Sequence, residues 1–198
     1  MYHEGSRQLQ DRFDSRRIAD RLEQVTVHDF FTGDDRDFIE NSPMFFLATA
    51  DEHGQPDCSY KGGLPGFVRV VDERTLAFPN YDGNGMYRSM GNIVKNPRVG
   101  MLFIDFEYGD RMRVNGEATL HYDDPLLKEF EGAQFIVRVK AKQVFPNCPR
   151  YIHHMEMKQL SVYAPEKGHK PPVPDWKKAE VFCDYLPERD LKEIRKKK

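Results

Sequence analysis

Residues 77–103 read AFPNYDGNGMYRSMGNIVKNPRVGMLF. An apolar segment runs into a turn of Asn, Asp and Gly, passes through an amphipathic stretch, and leaves through a second apolar run. Between Gly85 and Asn96 the apolar residues Met86, Tyr87, Met90, Ile93 and Val94 fall on one face of a helix. Asn96-Pro97 stops that helix, because the residue before a proline is driven out of the helical region. The run RVGMLFIDF that follows is almost continuously apolar, as in a strand buried on both faces. The order is strand, turn, helix, strand. Two readings of the turn stay open. Asn/Gly turns before helices are common connectors, and on pattern alone that reading is favoured. A phosphate site, however, uses backbone N–H groups at a helix start together with a Lys or Arg. Asn80, Asn84 and Gly85 offer a turn of little bulk, Arg88 lies one turn into the helix, and Lys61 beside Gly62-Gly63 is a second cation. Asp82 opposes an anion there unless it caps the helix and faces away.

Working outward, the chain is β on both sides of this helix. MFFLATA (44–50) is a short apolar run followed by turn formers, and DCSYKGG starts a second strand. The runs 67–71 and 75–79 are separated by Asp72-Glu73-Arg74 and read as a hairpin. Met112, Val114, Ala118 and Leu120 alternate with polar residues, the period-2 pattern of a half-buried strand. Phe135, Val137, Val139 and Ala141 repeat that pattern, with a break in parity near Val144 that marks a bulge or a strand end. About six strands with short turns and one central helix predict a mainly β protein, an antiparallel barrel with helical decoration. Residues 1–40 form an N-terminal helical extension, in which Phe13, Ile18, Leu22 and Val25 recur at helical spacing and are expected to dock. A second short helix is expected near 34–42, with Asp34 as its cap. Residues 41–160 form the barrel. Residues 161–198, rich in Pro and Lys, form a wrapped or partly disordered extension.

Bulk composition narrows the function classes. The chain has 198 residues, enough for one domain with a substantial core. Thirty basic residues against 32 acidic ones give a formal charge of −2, so no overall field draws it to nucleic acid or an anionic membrane. Cys58, Cys148 and Cys183 are too few and too scattered for a disulfide framework, which points to a reducing, cytoplasmic setting. The first thirty residues hold no apolar signal core, and no segment approaches the roughly 18 apolar residues of a membrane helix. A soluble, unprocessed protein is expected.

Other chemistry-bearing residues carry weaker signals. His153, His154 and Glu156 suggest a metal, but adjacent histidines point to different faces and no known ligand spacing accompanies them. Cys148 as a nucleophile requires a partner His that the sequence does not identify. Arg69, Arg113 and Arg138 are ligand contacts or, more simply, the solvated faces of strands. Nothing matches a Ser/His/Asp hydrolase, a Walker loop or a G-x-G-x-x-G turn.

Taken in order, FFLATADEHGQPDCSYKGG, GFVRVVDERTLAFPNYDGNGMYRSMGNIVKNPRVGMLF, RVNGEATL and VFPNCPRYI resemble the pyridoxamine 5'-phosphate oxidase-like family of flavin-binding split barrels, over roughly residues 40–155. The resemblance implies a six-stranded antiparallel split β-barrel of the FMN-binding type, a homodimer with FMN at the subunit interface, and an oxidoreductase working on a small substrate, with NAD(P)H as a possible electron donor. It implies that Ser59 and Lys61 line the flavin and its phosphate. Phe78, Pro79 and Asn80 match the strand end beside the ring, and Asn84, Gly85 and Arg88 match the phosphate-facing turn. Asn147, Cys148 and Arg150 resemble a further segment that approaches the flavin. The Arg of the vitamin B6 oxidases' Arg-x-x-x-x-Lys strand and their C-terminal Arg-x-His motif have no counterpart, which speaks against a vitamin B6 phosphate as substrate. Two rival readings remain: a flavin storage or sensing protein without turnover, and an enzyme of this fold that uses deazaflavin F420 or heme.

Overall fold

The alternation of buried and exposed residues builds seven strands: β1 (Met44–Ala50), β2 (Pro56–Gly62), β3 (Arg69–Val70), β4 (Thr75–Asn80), β5 (Arg98–Ile104), β6 (Arg111–His121) and β7 (Phe135–Pro146). The computed structural model describes residues 1–195. All pairings are antiparallel, in the order β2-β1-β5-β6-β7-β4-β3. Six strands are those of the expected barrel. The seventh, β3, is the two-residue first arm of the predicted hairpin, pairing Arg69 with Ala77 and Val70 with Leu76.

Ring packing shows that this sheet rolls up. Phe45 lies on β1, second in the order, and Phe78 on β4, sixth in the order. In a flat sheet four strand spacings would hold them about 19 Å apart. Their ring centroids are 5.0 Å apart, edge to face, and Phe45 also meets Phe103 of β5 at 5.2 Å and Phe67 at 5.8 Å. The sheet therefore closes around an aromatic centre, with Leu47, Leu76, Met101, Val114, Val137 and Val139 filling the rest of the core. Its two outer strands, β2 and β3, leave the barrel split.

Parity breaks where β6 and β7 change register: Asn115 faces Gln143 but Gly116 faces Ala141, so Lys142 is the bulged residue. The close approach requires glycine at 116, because a Cβ there would lie 2.3 Å from the Lys140 carbonyl oxygen. Pro79 is tolerated in β4 because pairing with β3 ends at Ala77, so no ladder partner lies beside its missing N–H.

Helices α1 (Glu4–Arg12), α2 (Arg16–Thr26) and α3 (Gly33–Asn41) precede the barrel, α4 (Arg88–Lys95) follows β4, and α5 (Glu180–Cys183) and α6 (Glu188–Arg195) lie in the C-terminal segment. Three expectations are corrected here. Thr32, not Asp34, caps α3: its hydroxyl accepts the Asp35 N–H while the Asp35 carboxylate accepts the Thr32 N–H. The first helix is broken at Asp14, which has φ +49°, and Phe13, Ile18, Leu22 and Val25 are exposed rather than docked. Finally, α4 begins only at Arg88, because Gly85 (φ +81°) and Tyr87 (φ +49°) hold the chain in the left-handed region. Met86 thus lies outside the helix and is exposed. The buried face of α4 consists of Ser89, Met90 and Ile93, and Val94 lies about a quarter turn away from its centre, in solvent.

Candidate functional site

Directly opposed residues of an antiparallel pair share a face. Asp57, Ser59 and Lys61 oppose Thr49, Leu47 and Phe45, so all three point to the side of β2 that bears the core. Their row runs past the end of the core, beneath α4. That helix is tied to β1 by Asn92 Nδ2, which donates to Thr49 Oγ1 at 3.0 Å, and its end is tied by Asn96 Nδ2, which donates to the Asp51 carbonyl. A cavity of about 280 Å³ opens between β2, the end of β4 and the start of α4. Lys61, Ser59, Asn80, Asn84, Gly85 and Arg88 all line it, so the structure brings together six of the residues expected to hold the cofactor.

The electrostatics turn on Lys61. It is half-buried, and among the described residues it forms no ion pair; burial pushes its ammonium below lysine's ordinary pKa, with the charge of Asp57 opposing that shift. Arg88 is exposed, and its Nε donates to Asp57 Oδ1 at 3.3 Å. Ser59 Oγ and Ser89 Oγ are hydrogen-bonded at 2.9 Å, and Ser89 Oγ also donates to Asp57 Oδ2 at 3.4 Å. The wall thus carries two cations, Lys61 and Arg88, against one carboxylate, an excess of one positive charge. At the other side, Asn80 Nδ2 donates to Gln134 Oε1 at 2.9 Å, an oxygen that also accepts the Tyr87 hydroxyl. Asn84 Oδ1 accepts the Met86 N–H, closing the turn locally. Burial pushes the Tyr81 phenol up to about 12, which keeps it a neutral donor.

Asp82 does not cap α4. Its carboxylate turns toward the C-terminal segment, where it meets Lys177 Nζ at 2.8 Å and Arg189 Nη2 at 2.6 Å. It therefore does not oppose an anion in the cavity. Asp57, Ser89, Tyr81 and Gln134 escaped the reading of the sequence. For Asp57 the signal was available, since it precedes Ser59 and Lys61 at two-residue spacing on one strand; for Gln134, more than fifty residues from Asn80, there was none.

Other expected residues lie elsewhere. Phe78 and Pro79 are buried in β4, with Phe78 against Phe45. Asn147, Cys148 and Arg150 follow β7 at the end opposite Asn80, and they do not line this cavity. There the Arg111 guanidinium donates to the Cys148 carbonyl at 2.6 Å, while Arg111 Nε and Asn147 Oδ1 are buried with no partner among the described residues. Arg138 is spent on Asp124 in a two-pronged pair at 2.6 and 3.1 Å. His154 Nδ1 contacts the Glu107 carbonyl, and among the described residues no three His, Cys, Asp or Glu side chains converge to hold a metal ion. The three cysteines are free thiols. No helix among the described residues is long and apolar enough to cross a membrane.

Comparison with known proteins adds three results. The family model described as pyridoxamine 5'-phosphate oxidase matches residues 31–168. A search of curated sequences finds no match. Among solved structures, a putative pyridoxamine 5'-phosphate oxidase from Lactobacillus delbrueckii is 24% identical, covering 60% of this chain and 95% of that one, with a TM-score of 0.49. An FMN-binding protein from Syntrophomonas wolfei is 15% identical over 70% of this chain and 95% of its own, at 0.44. The heme storage protein HutZ from Vibrio cholerae is 18% identical over 57% and 91%, at 0.42.

Proposed function

Because this chain belongs to the pyridoxamine 5'-phosphate oxidase family, whose model covers residues 31–168, we propose that it binds FMN with the phosphate in the Lys61 cavity and acts as an oxidoreductase on a small substrate. One observation carries the reading: a half-buried ammonium that forms no ion pair among the described residues, set in a cavity where Lys61 and Arg88 stand against the single carboxylate of Asp57 beside a turn of low-bulk backbone. An unpaired half-buried cation is costly unless an anion completes it. A phosphate does so while accepting from the Lys61 ammonium and the Asn84 amide.

The residues present fit the group. Pockets for small ligands occupy about 300–1,000 Å³. The 280 Å³ cavity, open on one side, suits the phosphate end of the group. Bound FMN supplies two-electron redox chemistry. Lys61 supplies phosphate charge, the 83–88 turn fixes orientation, and the neutral Tyr81 hydroxyl donates a hydrogen bond at the rim. The homodimer is part of the same proposal: Asn147, Cys148 and Arg150 stand at the far end of β7, so a second copy is what brings them to the flavin. NADH or NADPH is the proposed donor.

The test is direct. Protein purified with excess FMN and then desalted should retain the visible flavin band, and FMN at about 100 times its Kd should add about 2.7 kcal/mol to apparent stability. An unchanged melting temperature in excess FMN overturns the flavin reading; the same assay with F420 or hemin then names the alternative. Anaerobic bleaching of bound flavin by NADH or NADPH supports turnover. Flavin that binds but is not reduced by either nucleotide removes the NAD(P)H-dependent activity and favours storage or sensing.

A further inference from the structure

The C-terminal segment builds a cavity of about 870 Å³ against the turn that follows β4. One wall is Tyr81, Gly83 and Asn84, which also line the Lys61 cavity; the other is Tyr163, Pro172, Val173 and Trp176. The segment is clamped there. Lys177 is buried, with its Nζ 2.8 Å from Asp82 and 3.0 Å from Asp190, and Arg189 holds the second oxygen of Asp82 at 2.6 Å. The flanking Trp176 ring lies 5.6 Å from the Lys177 ammonium and is braced edge-on by Phe182.

Charge and shape decide what this cavity takes. Asp82, Asp190 and Lys177 at its wall are spent on one another. His169 Nε2 is engaged by the Val162 carbonyl at 3.0 Å. Glu131 and Lys170 are of opposite sign, so no net field favours an ionic ligand. What faces the space is flat and apolar. Tyr163 and Trp176 remain 47% and 39% exposed, although rings of that size gain most from burial. The prolines hold their segment extended at little further entropic cost when a ligand orders it.

We infer that this cavity is a binding site for an uncharged, planar aromatic molecule, built by the C-terminal segment beside the flavin cavity. Binding itself is independent of the flavin reading; only the ligand's role as the substrate presented to the flavin rests on it. Trp176 is the only tryptophan in the chain, so its emission reports on this site alone.

Coumarin, which is uncharged, planar and unreactive toward thiols, is the probe, and coumarin-3-carboxylate is its anionic counterpart. Equilibrium dialysis and Trp176 fluorescence on the full chain should show saturable coumarin binding, with the carboxylate at least about tenfold weaker because it must lose its hydration at a wall that offers no net positive charge. Trp176→Ala should weaken coumarin binding by about tenfold, whereas Trp176→Phe, which keeps a ring, should stay within about threefold, both read by dialysis. Lys61→Ala, which removes the flavin contact, should leave coumarin binding unchanged, so failure of one reading is separable from failure of the other. Absence of saturable binding to the wild type, equal affinity for the two probes, or unchanged affinity in Trp176→Ala overturns the inference.

Discussion

Replacing Lys61 by Met should move two quantities in opposite directions. Met keeps the length of the side chain and removes its charge. In the protein without flavin, the ammonium is half-buried and, among the described residues, unpaired, and burial holds its pKa below the ordinary lysine value. Between the folded and unfolded pKa values the unfolded chain therefore binds more protons at this site, and stability rises with pH as the charge is lost. The substitution removes the cost of burying that charge, so the flavin-free protein should melt no lower than wild type. With FMN the sign reverses. A charge-assisted hydrogen bond to phosphate contributes about 1.5–3 kcal/mol, which corresponds to about 10- to 150-fold in Kd. Quenching of flavin fluorescence on titration gives the affinity, and calorimetry gives the melting temperature. An unchanged Kd refutes the phosphate assignment. A weaker Kd accompanied by a melting temperature several degrees lower refutes the argument too, because Lys61 would then be supporting the fold rather than waiting for an anion.

Three further outcomes follow from the geometry. Gly116→Ala should destabilise the barrel by about 1–3 kcal/mol in thermal melts, because the new Cβ meets the Lys140 carbonyl at 2.3 Å and only a backbone shift relieves it; a wild-type melt would contradict the bulge assignment. For Asp35, burial raises the carboxyl pKa, but the Thr32 N–H and hydroxyl and His28 at 2.9 Å together bring it below the ordinary value. Its contribution is present above the unfolded carboxylate pKa and fades as pH falls through the folded one, so Asp35→Asn should lower neutral-pH stability by about 1–3 kcal/mol and flatten the acid limb of the stability curve; parallel acid limbs would exclude this pair as a source of acid sensitivity. Asp82→Asn should loosen the C-terminal segment by weakening its hold on Lys177 and Arg189, seen as faster proteolysis between residues 163 and 177 with the barrel's melt unaltered; equal cleavage rates would show that the clamp does not hold the segment.

The sequence by itself determined the order of strands and the place of the central helix, because period-2 and helical periodicities are local and strong. Met112, Val114 and Ala118 on β6 and Met90 and Ile93 on α4 are buried as their spacing demands. It also placed Ser59, Lys61, Asn84 and Arg88 in one set, and the fold puts them around one cavity. The tertiary structure alone decided which way each group faces. Met86 fits the helical pattern yet is exposed because the left-handed backbone at Gly85 and Tyr87 starts the helix only at Arg88, and Val94 is exposed because it lies about a quarter turn from the centre of the buried face; periodicity encodes neither. Phe13, Ile18, Leu22 and Val25 form an apolar stripe that the barrel does not cover. Asp82, an apparent obstacle to an anion, is turned outward by Lys177 and Arg189, each about a hundred residues away. Asp57 and Gln134 enter the site through strand pairing and long-range hydrogen bonds. Local patterns fix which residues can form an element; charge pairing between distant segments fixes what the finished surface presents, and that energy depends on distances no stretch of sequence contains.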